Sequence, residues 1–209
     1  MKLYNFAMAP NPKRVAIFIA EKGVEIETIE VNIRAGEHKT PAFTAINPLQ
    51  DLPLLQLDDG THINQVNAIC RYIDDVYPEP PLYGRTPEER AKVESWNHRV
   101  QMEGIGAVTD AFRNSSPNFV GRAIAGPHSY EQIPALAERG RLRIDNFMKD
   151  MNAHFANNQF VLGDYFSVVD ITVFMSIEFA TWVKKKIPED CTHLQRWFDA
   201  MSARPSIKK

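Results

Sequence analysis

Between Tyr77 and Pro87 the chain reads YPEPPLYGRTP, with four prolines and one glycine, and no regular helix or strand runs through such a stretch. The two sides of this break differ in kind. Ahead of it, short alternating segments are interleaved with helical ones. From Glu88 to Lys209 helical periodicity continues with almost no strand signal. The pattern predicts a mixed α/β domain over residues 1–77, a linker over 78–87 and an all-helical domain over 88–209.

In the first part, residues 2–7 read as a short strand. Asn11 followed by Pro12 predicts a helix start, with Asn as N-cap and Pro at the first helical position, and Gly23 predicts the stop. Residues 24–33 place Val24, Ile26, Ile29, Val31 and Ile33 in an alternating pattern, a strand with one buried face. A helix between two strands at this loop length is a βαβ unit with parallel strands. Residues 34–48 read as a polar loop. Residues 53–57 and 61–63 flank Asp58-Asp59-Gly60, a hairpin signal, and residues 65–76 form an amphipathic helix carrying Ile69, Cys70, Tyr72 and Ile73. The order β-α-β then β-β-α is a thioredoxin-like layout: a four-stranded mixed sheet covered by helices.

In the second part, helices are expected at 88–114, 129–155, 168–185 and 192–203, enough for a bundle. Ser167 and Asp170 have the spacing of a capping box, and Phe166 and Ile171 that of a hydrophobic staple. The Lys184-Lys185-Lys186 run reads as a solvated helix end. A net charge of −2 with both signs interspersed gives no basic stripe for nucleic acid. Cys70 and Cys191, far apart and outside any CxxC or Cys/His spacing, imply neither a disulfide framework nor a metal site, and point to a reducing, cytoplasmic location. No segment approaches the ~20 apolar residues of a membrane span, and the first residues lack the apolar stretch of a secretion signal.

Four pieces in register resemble the cytosolic glutathione transferase family. They are Arg14-Val15 in a helix ending Glu21-Lys22-Gly23; Asn47-Pro48-Leu49-Gln50-Asp51-Leu52-Pro53; Asp58-Asp59-Gly60 followed by Gln65-Val66-Asn67-Ala68-Ile69-Cys70-Arg71-Tyr72-Ile73; and Ser167-Val168-Val169-Asp170 with Ala203-Arg204-Pro205-Ser206. The resemblance spans nearly the whole chain. It implies a glutathione-binding α/β domain, a helical domain that shapes a pocket for a hydrophobic second substrate, a homodimer, glutathione as co-substrate and no metal.

The resemblance also implies roles for particular residues. The family's bond before the proline at Pro53 is cis, which presents the N–H and C=O of Leu52 to the cysteinyl backbone of glutathione like an added strand. Gln65 and the backbone N–H of Val66 stand where the γ-glutamyl group binds, at a helix N-terminus suited to a carboxylate. Val66 departs from the family's Ser or Thr and donates nothing from its side chain, a loss of ~1.5–3 kcal/mol in charge-assisted bonding. His38-Lys39 resembles a pair that holds the glycyl carboxylate; a solvated loop accounts for the same residues.

Catalysis requires a lowered thiol pKa, because the thiolate is the nucleophile. Ala9 occupies the position where the family's serine classes carry the hydroxyl donor, and Ala9 cannot donate. Asn11 is then the thiol donor, similar to the asparagine of a Thr-Pro-Asn run in one bacterial class, unless it serves only as the N-cap. Tyr4 reads as structural, and no cysteine lies near the first helix for thiol exchange. Met8 and Phe112 are assigned to the apolar pocket. The expected reaction is attack of the glutathione thiolate on small electrophiles, a detoxifying transfer. Ether cleavage, peroxide reduction or isomerisation with glutathione, and a non-catalytic ligand- or partner-binding protein on the same fold, are the alternatives.

Overall fold

The computed structural model describes residues 1–208. Its contacts divide the chain into two units, Met1–Pro80 with Ile124–Ser129, and Pro81–Ala123 with Tyr130–Lys209.

The first unit is built on strands β1 (Lys2–Asn5), β2 (Glu27–Glu30), β3 (Leu54–Gln56) and β4 (His62–Asn64), in the order β2-β1-β3-β4. β1 and β2 are parallel; β3 runs antiparallel to β1 and to β4. Helix α1 (Pro10–Lys22) makes the crossover from β1 to β2, α2 (Pro41–Ile46) precedes β3, and α3 (Val66–Val76) follows β4. This is the thioredoxin-like arrangement. Helices α1 and α3 pack against each other, and Val15 and Phe18 on the first and Ile69 and Ile73 on the second are buried. A second apolar cluster of Val31, Phe43 and Leu54 has Tyr4, Ile46 and Leu52 packed on it.

Several expectations change here. β2 spans only Glu27–Glu30 of the expected 24–33, because it is an edge strand that finds ladder partners only along the length of β1. The stretch 34–48 is not all loop: Thr40 accepts a hydrogen bond from the Phe43 N–H and caps α2. α1 begins at Pro10 with Ala9 as N-cap, so Asn11 is its second residue and not its cap. The Lys13 N–H bonds to the Ala9 carbonyl, which closes the first turn one residue pair earlier than the Asn-Pro signal implied. Gly23 ends the helix in the left-handed conformation.

The second unit contains α4 (Pro87–Val100), α5 (Gly106–Arg113), α6 (Pro134–Phe155), α7 (Val168–Ala180), α8 (Thr192–Ser202) and the short α9 (Pro205–Lys208). The long helix expected over 88–114 is broken into α4 and α5 by a π-helical turn at Gln101–Ile105, where the Met102 carbonyl accepts from Arg143. α6 starts at Pro134 rather than near 129, with proline at its first position. α7 is buried over almost its whole length, and its start is a capping box. The Asp170 carboxylate accepts from the Val161 and Ser167 N–H groups and from the Ser167 hydroxyl, while Ser167 Oγ accepts from the Val169 N–H. Phe166 packs edge-on to Phe160 with the Arg204 guanidinium 4.0 Å above its ring. Lys185 is not simply solvated, since it pairs with Asp145 at 2.6 Å. Among the described residues no helix is long and apolar enough to cross a membrane, and no group of three or more His, Cys, Asp or Glu could hold a metal ion.

Candidate active site

Strand register decides which residues of the first unit meet. Tyr4 pairs with Leu54, and Leu54 with Asn64. The C-terminal end of β1, the start of β3 and the end of β4 therefore lie at one edge of the sheet. The chain leaves β1 there through Phe6–Ala9 into α1, enters β3 there through Leu52–Pro53, and leaves β4 there through Gln65 into α3. The N-termini of two helices and the main chain of Leu52 are thus gathered at a single edge, a setting whose helix dipoles suit anionic groups.

The Leu52–Pro53 peptide is cis. The β3–β4 ladder begins at Leu54, so the main chain of Leu52 lies beyond it. The approach loop is organised by Asn47, which is buried; its Nδ2 donates to the Asp51 carbonyl at 2.8 Å and carboxylate at 3.0 Å, and its Oδ1 accepts from the Leu49 N–H. Gln50 within this loop has φ 54°. Opposite it, Gln65 adopts φ 71° at the N-cap of α3 and donates from Nε2 to Asp51 Oδ2 at 3.2 Å. A non-glycine residue held at positive φ costs of order 1–3 kcal/mol, and such residues concentrate at ligand-binding sites. Val66 is buried as the first residue of α3.

At the start of α1, Ala9 donates its N–H to the Phe6 carbonyl at 2.9 Å. Pro10 and Pro12 carry no N–H, so Asn11 holds the one main-chain donor among the first three helical positions. The Asn11 side chain is half-buried, and its Oδ1 accepts from Arg14 Nη1 at 3.2 Å. Arg14 is 1% exposed and also donates from Nη2 to Asn67 Oδ1 on α3 at 3.4 Å.

His38 and Lys39 lie on a 3₁₀ turn, Glu37–Lys39, the histidine half-buried and the lysine exposed. Gly36 precedes the turn at φ 81°, a conformation glycine takes without penalty. Glu37 Oε2 pins the turn by accepting from the Asn32 N–H at 2.7 Å. Tyr4 is engaged in structure: its hydroxyl donates to Gln56 Oε1 at 3.1 Å and its ring meets Phe43 edge-on. Met8 is 56% exposed beside Ala9. In the second unit Phe112 belongs to an aromatic cluster with Phe119, Phe179 and Trp182, at centroid distances of 5.1, 5.6 and 5.3 Å. Cys70 is buried on α3, and burial pushes its thiol up to about 12, so it stays protonated.

The residues sequence reasoning missed are Arg14, Asn67 and Asp51 as members of this network. Arg14 carried a usable signal: it lies three and four residues before Ile17 and Phe18 and so falls on the buried face of the helix.

The comparisons with known proteins agree along the whole chain. The family model described as glutathione S-transferase, N-terminal domain, matches residues 1–75, and that described as glutathione S-transferase, C-terminal domain, matches residues 132–209. Glutathione S-transferase 2 of Saccharomyces cerevisiae is 35% identical over 212 residues, covering 100% of this chain and 88% of the relative. The crystal structure of a glutathione S-transferase domain-containing protein from Marinobacter aquaeolei superposes with a TM-score of 0.90 at 36% identity, covering 99% of this chain and 100% of that one. The crystal structure of Gtt2 from Saccharomyces cerevisiae gives a TM-score of 0.90 at 34% identity, over 100% of this chain and 99% of that one.

Proposed function

The chain belongs to the glutathione S-transferase family, and from that premise we propose that it is a glutathione transferase whose thiolate donor is Asn11. Glutathione binds along the sheet edge. The N–H and C=O of Leu52, ahead of Pro53, pair with the cysteinyl backbone. Gln65 and the Val66 N–H take the γ-glutamyl end, and His38 with Lys39 takes the glycyl carboxylate. The thiol lies at the start of α1 near Ala9, where the Asn11 carboxamide steadies the sulfur anion. The thiolate then attacks a small electrophile, to which Met8, exposed beside Ala9, offers apolar surface. Residues 1–77 act as the glutathione-binding domain and 88–209 as the helical domain, joined by 78–87, in a cytoplasmic homodimer.

The observation that carries this reading is the meeting of Leu52 with the N-termini of α1 and α3 at one sheet edge. That arrangement fits an extended peptide with an anionic sulfur and an anionic γ-glutamyl end. Ala9 and Val66, which lack side-chain donors, favour a second reading as a non-catalytic binding protein.

Calorimetric titration of glutathione, with ultraviolet titration of the bound thiol, separates the two. A transferase binds glutathione in the micromolar to low millimolar range with a lowered thiol pKa, and Asn11→Ala loses that shift. Absence of binding at ~10 mM, an affinity worth less than about 3 kcal/mol, overturns the enzyme reading.

A further inference from the structure

Arg14 stands one turn into α1 from Asn11, fully buried, with its guanidinium between the first turns of α1 and α3. Two of its contacts are symmetric in kind. Asn11 is the second residue of α1 and Asn67 the second residue of α3, and each presents Oδ1 to the guanidinium. A guanidinium carries five N–H donors and no acceptor, so a carboxamide that faces it can offer only its oxygen. The orientation of both amides is therefore set by chemistry: with Oδ1 turned to Arg14, the Nδ2 of each asparagine points away from the guanidinium, and at Asn11 it does so at the start of α1. Free of Arg14, an asparagine side chain turns over between its two amide faces at little cost and presents oxygen or nitrogen alike.

We propose that Arg14 is a positioning residue: held across to α3 by Asn67 and taking Oδ1 of Asn11, it commits the Nδ2 donors of Asn11 to the glutathione sulfur. The inference rests on the transferase reading above. One buried cation thereby ties together the starts of two helices that are distant in sequence and adjacent in space. The guanidinium also adds its charge to the two helix N-termini that face the same edge, which favours both anions. Its field reaches Cys70 as well, where it opposes the effect of burial and of Asp74 on that thiol.

The test measures glutathione affinity, bound-thiol pKa and melting temperature for the full chain and for Asn11→Ala, Arg14→Lys, Asn11→Asp and the double variant Asn11→Ala/Arg14→Lys. Asn11→Ala is expected to raise the bound-thiol pKa by about one unit, tenfold less thiolate at a given pH. Arg14→Lys keeps the charge and loses the fork, and is expected to raise the thiol pKa similarly while weakening glutathione about tenfold. In the double variant the thiol pKa moves no further than in Asn11→Ala, because Arg14 acts on the sulfur through Asn11. Asn11→Asp gains an ion pair with Arg14 and loses its donors: it melts no lower than Asn11→Ala and shows the highest thiol pKa of the set.

Wild type without glutathione binding, or with an unshifted thiol, overturns the transferase reading itself. A thiol that shifts with Asn11→Ala while Arg14→Lys changes neither affinity nor thiol pKa overturns the role of Arg14 alone, and so do additive shifts in the double variant. If Arg14→Lys fails to fold, Asn11→Asp decides: melting below Asn11→Ala, or a wild-type thiol pKa, refutes the proposal.

Discussion

Truncating Asp170 should destabilise the protein more at pH 5 than at pH 7. Its carboxylate is fully buried and receives three donors, the N–H groups of Val161 and Ser167 and the Ser167 hydroxyl. Asp170→Ala orphans two buried main-chain N–H groups at ~1–3 kcal/mol each and removes a negative charge from the start of α7. Against this stands relief of the desolvation that dominates the site and raises the Asp170 pKa from 3.8 to about 6. The net loss at pH 7 is about 2–3 kcal/mol. The sign of the pH dependence follows from linkage. A carboxyl whose pKa is raised in the folded state binds its proton more tightly there than in the unfolded chain. Its contribution is then most favourable below about pH 4 and declines as pH rises through about 6. At pH 5 the wild-type residue gains about 1 kcal/mol over its value at pH 7, and alanine gains nothing. Urea unfolding of both proteins at pH 5, 6 and 7 measures the gap. A gap that is constant, or that widens toward pH 7, would refute the reasoning.

Two further substitutions probe the packing of each unit. Lys22 is buried with Asp74, 2.8 Å away, and also donates to the Pro80 carbonyl, so Lys22→Met takes the paired cation from a nearly buried carboxylate and should cost about 3–5 kcal/mol in urea unfolding. Replacing both partners, Lys22→Met with Asp74→Leu, should recover most of that loss. Gly140 on α6 faces α5 so closely that an added Cβ would stand 2.7 Å from the Ala107 carbonyl oxygen and 2.7 Å from the Ala111 nitrogen. Since both are main-chain atoms, Gly140→Ala must separate the helices, at about 2–3 kcal/mol in thermal or urea unfolding.

Local chemistry was legible and long-range chemistry was not. The capping box at Ser167 and Asp170 could be read because both partners lie within one helical turn and the rule depends only on spacing. The N-cap assigned to Asn11 failed for an instructive reason: Pro10 and Pro12 both satisfy the preference for proline in the first turn, so the sequence offers two registers one residue pair apart. The carbonyl of Ala9, taken by the Lys13 N–H, selects the earlier one. The π-helical turn at Gln101–Ile105 left no periodic trace, since one shifted hydrogen-bond register barely alters the apolar spacing. Gln50 is a similar case. Its backbone has φ 54°, a left-handed conformation that glutamine does not announce in a sequence as glycine would. The burial of Arg14 was legible from its helical position, but its bond to Asn67, 53 residues away, needed the fold.

The same two prolines explain why the thiol chemistry should converge on one residue. A helix start ordinarily offers several unpaired N–H groups to an anion. In α1 the first and third positions are prolines and offer none, while the Ala9 N–H is already given to Phe6. What remains at the edge is the main-chain N–H of Asn11 and its carboxamide. The macrodipole is undiminished, since it sums over the whole helix, but its positive end has few atoms through which to act at hydrogen-bond range. An anion drawn to this end therefore meets Asn11 twice, once through the backbone and once through a side chain whose oxygen is already held by Arg14. If the sulfur binds here as proposed, absence of a hydroxyl at Ala9 removes one possible donor and Asn11 supplies another. On the proposed role of Arg14, the guanidinium behind turns the Nδ2 of Asn11 toward that anion.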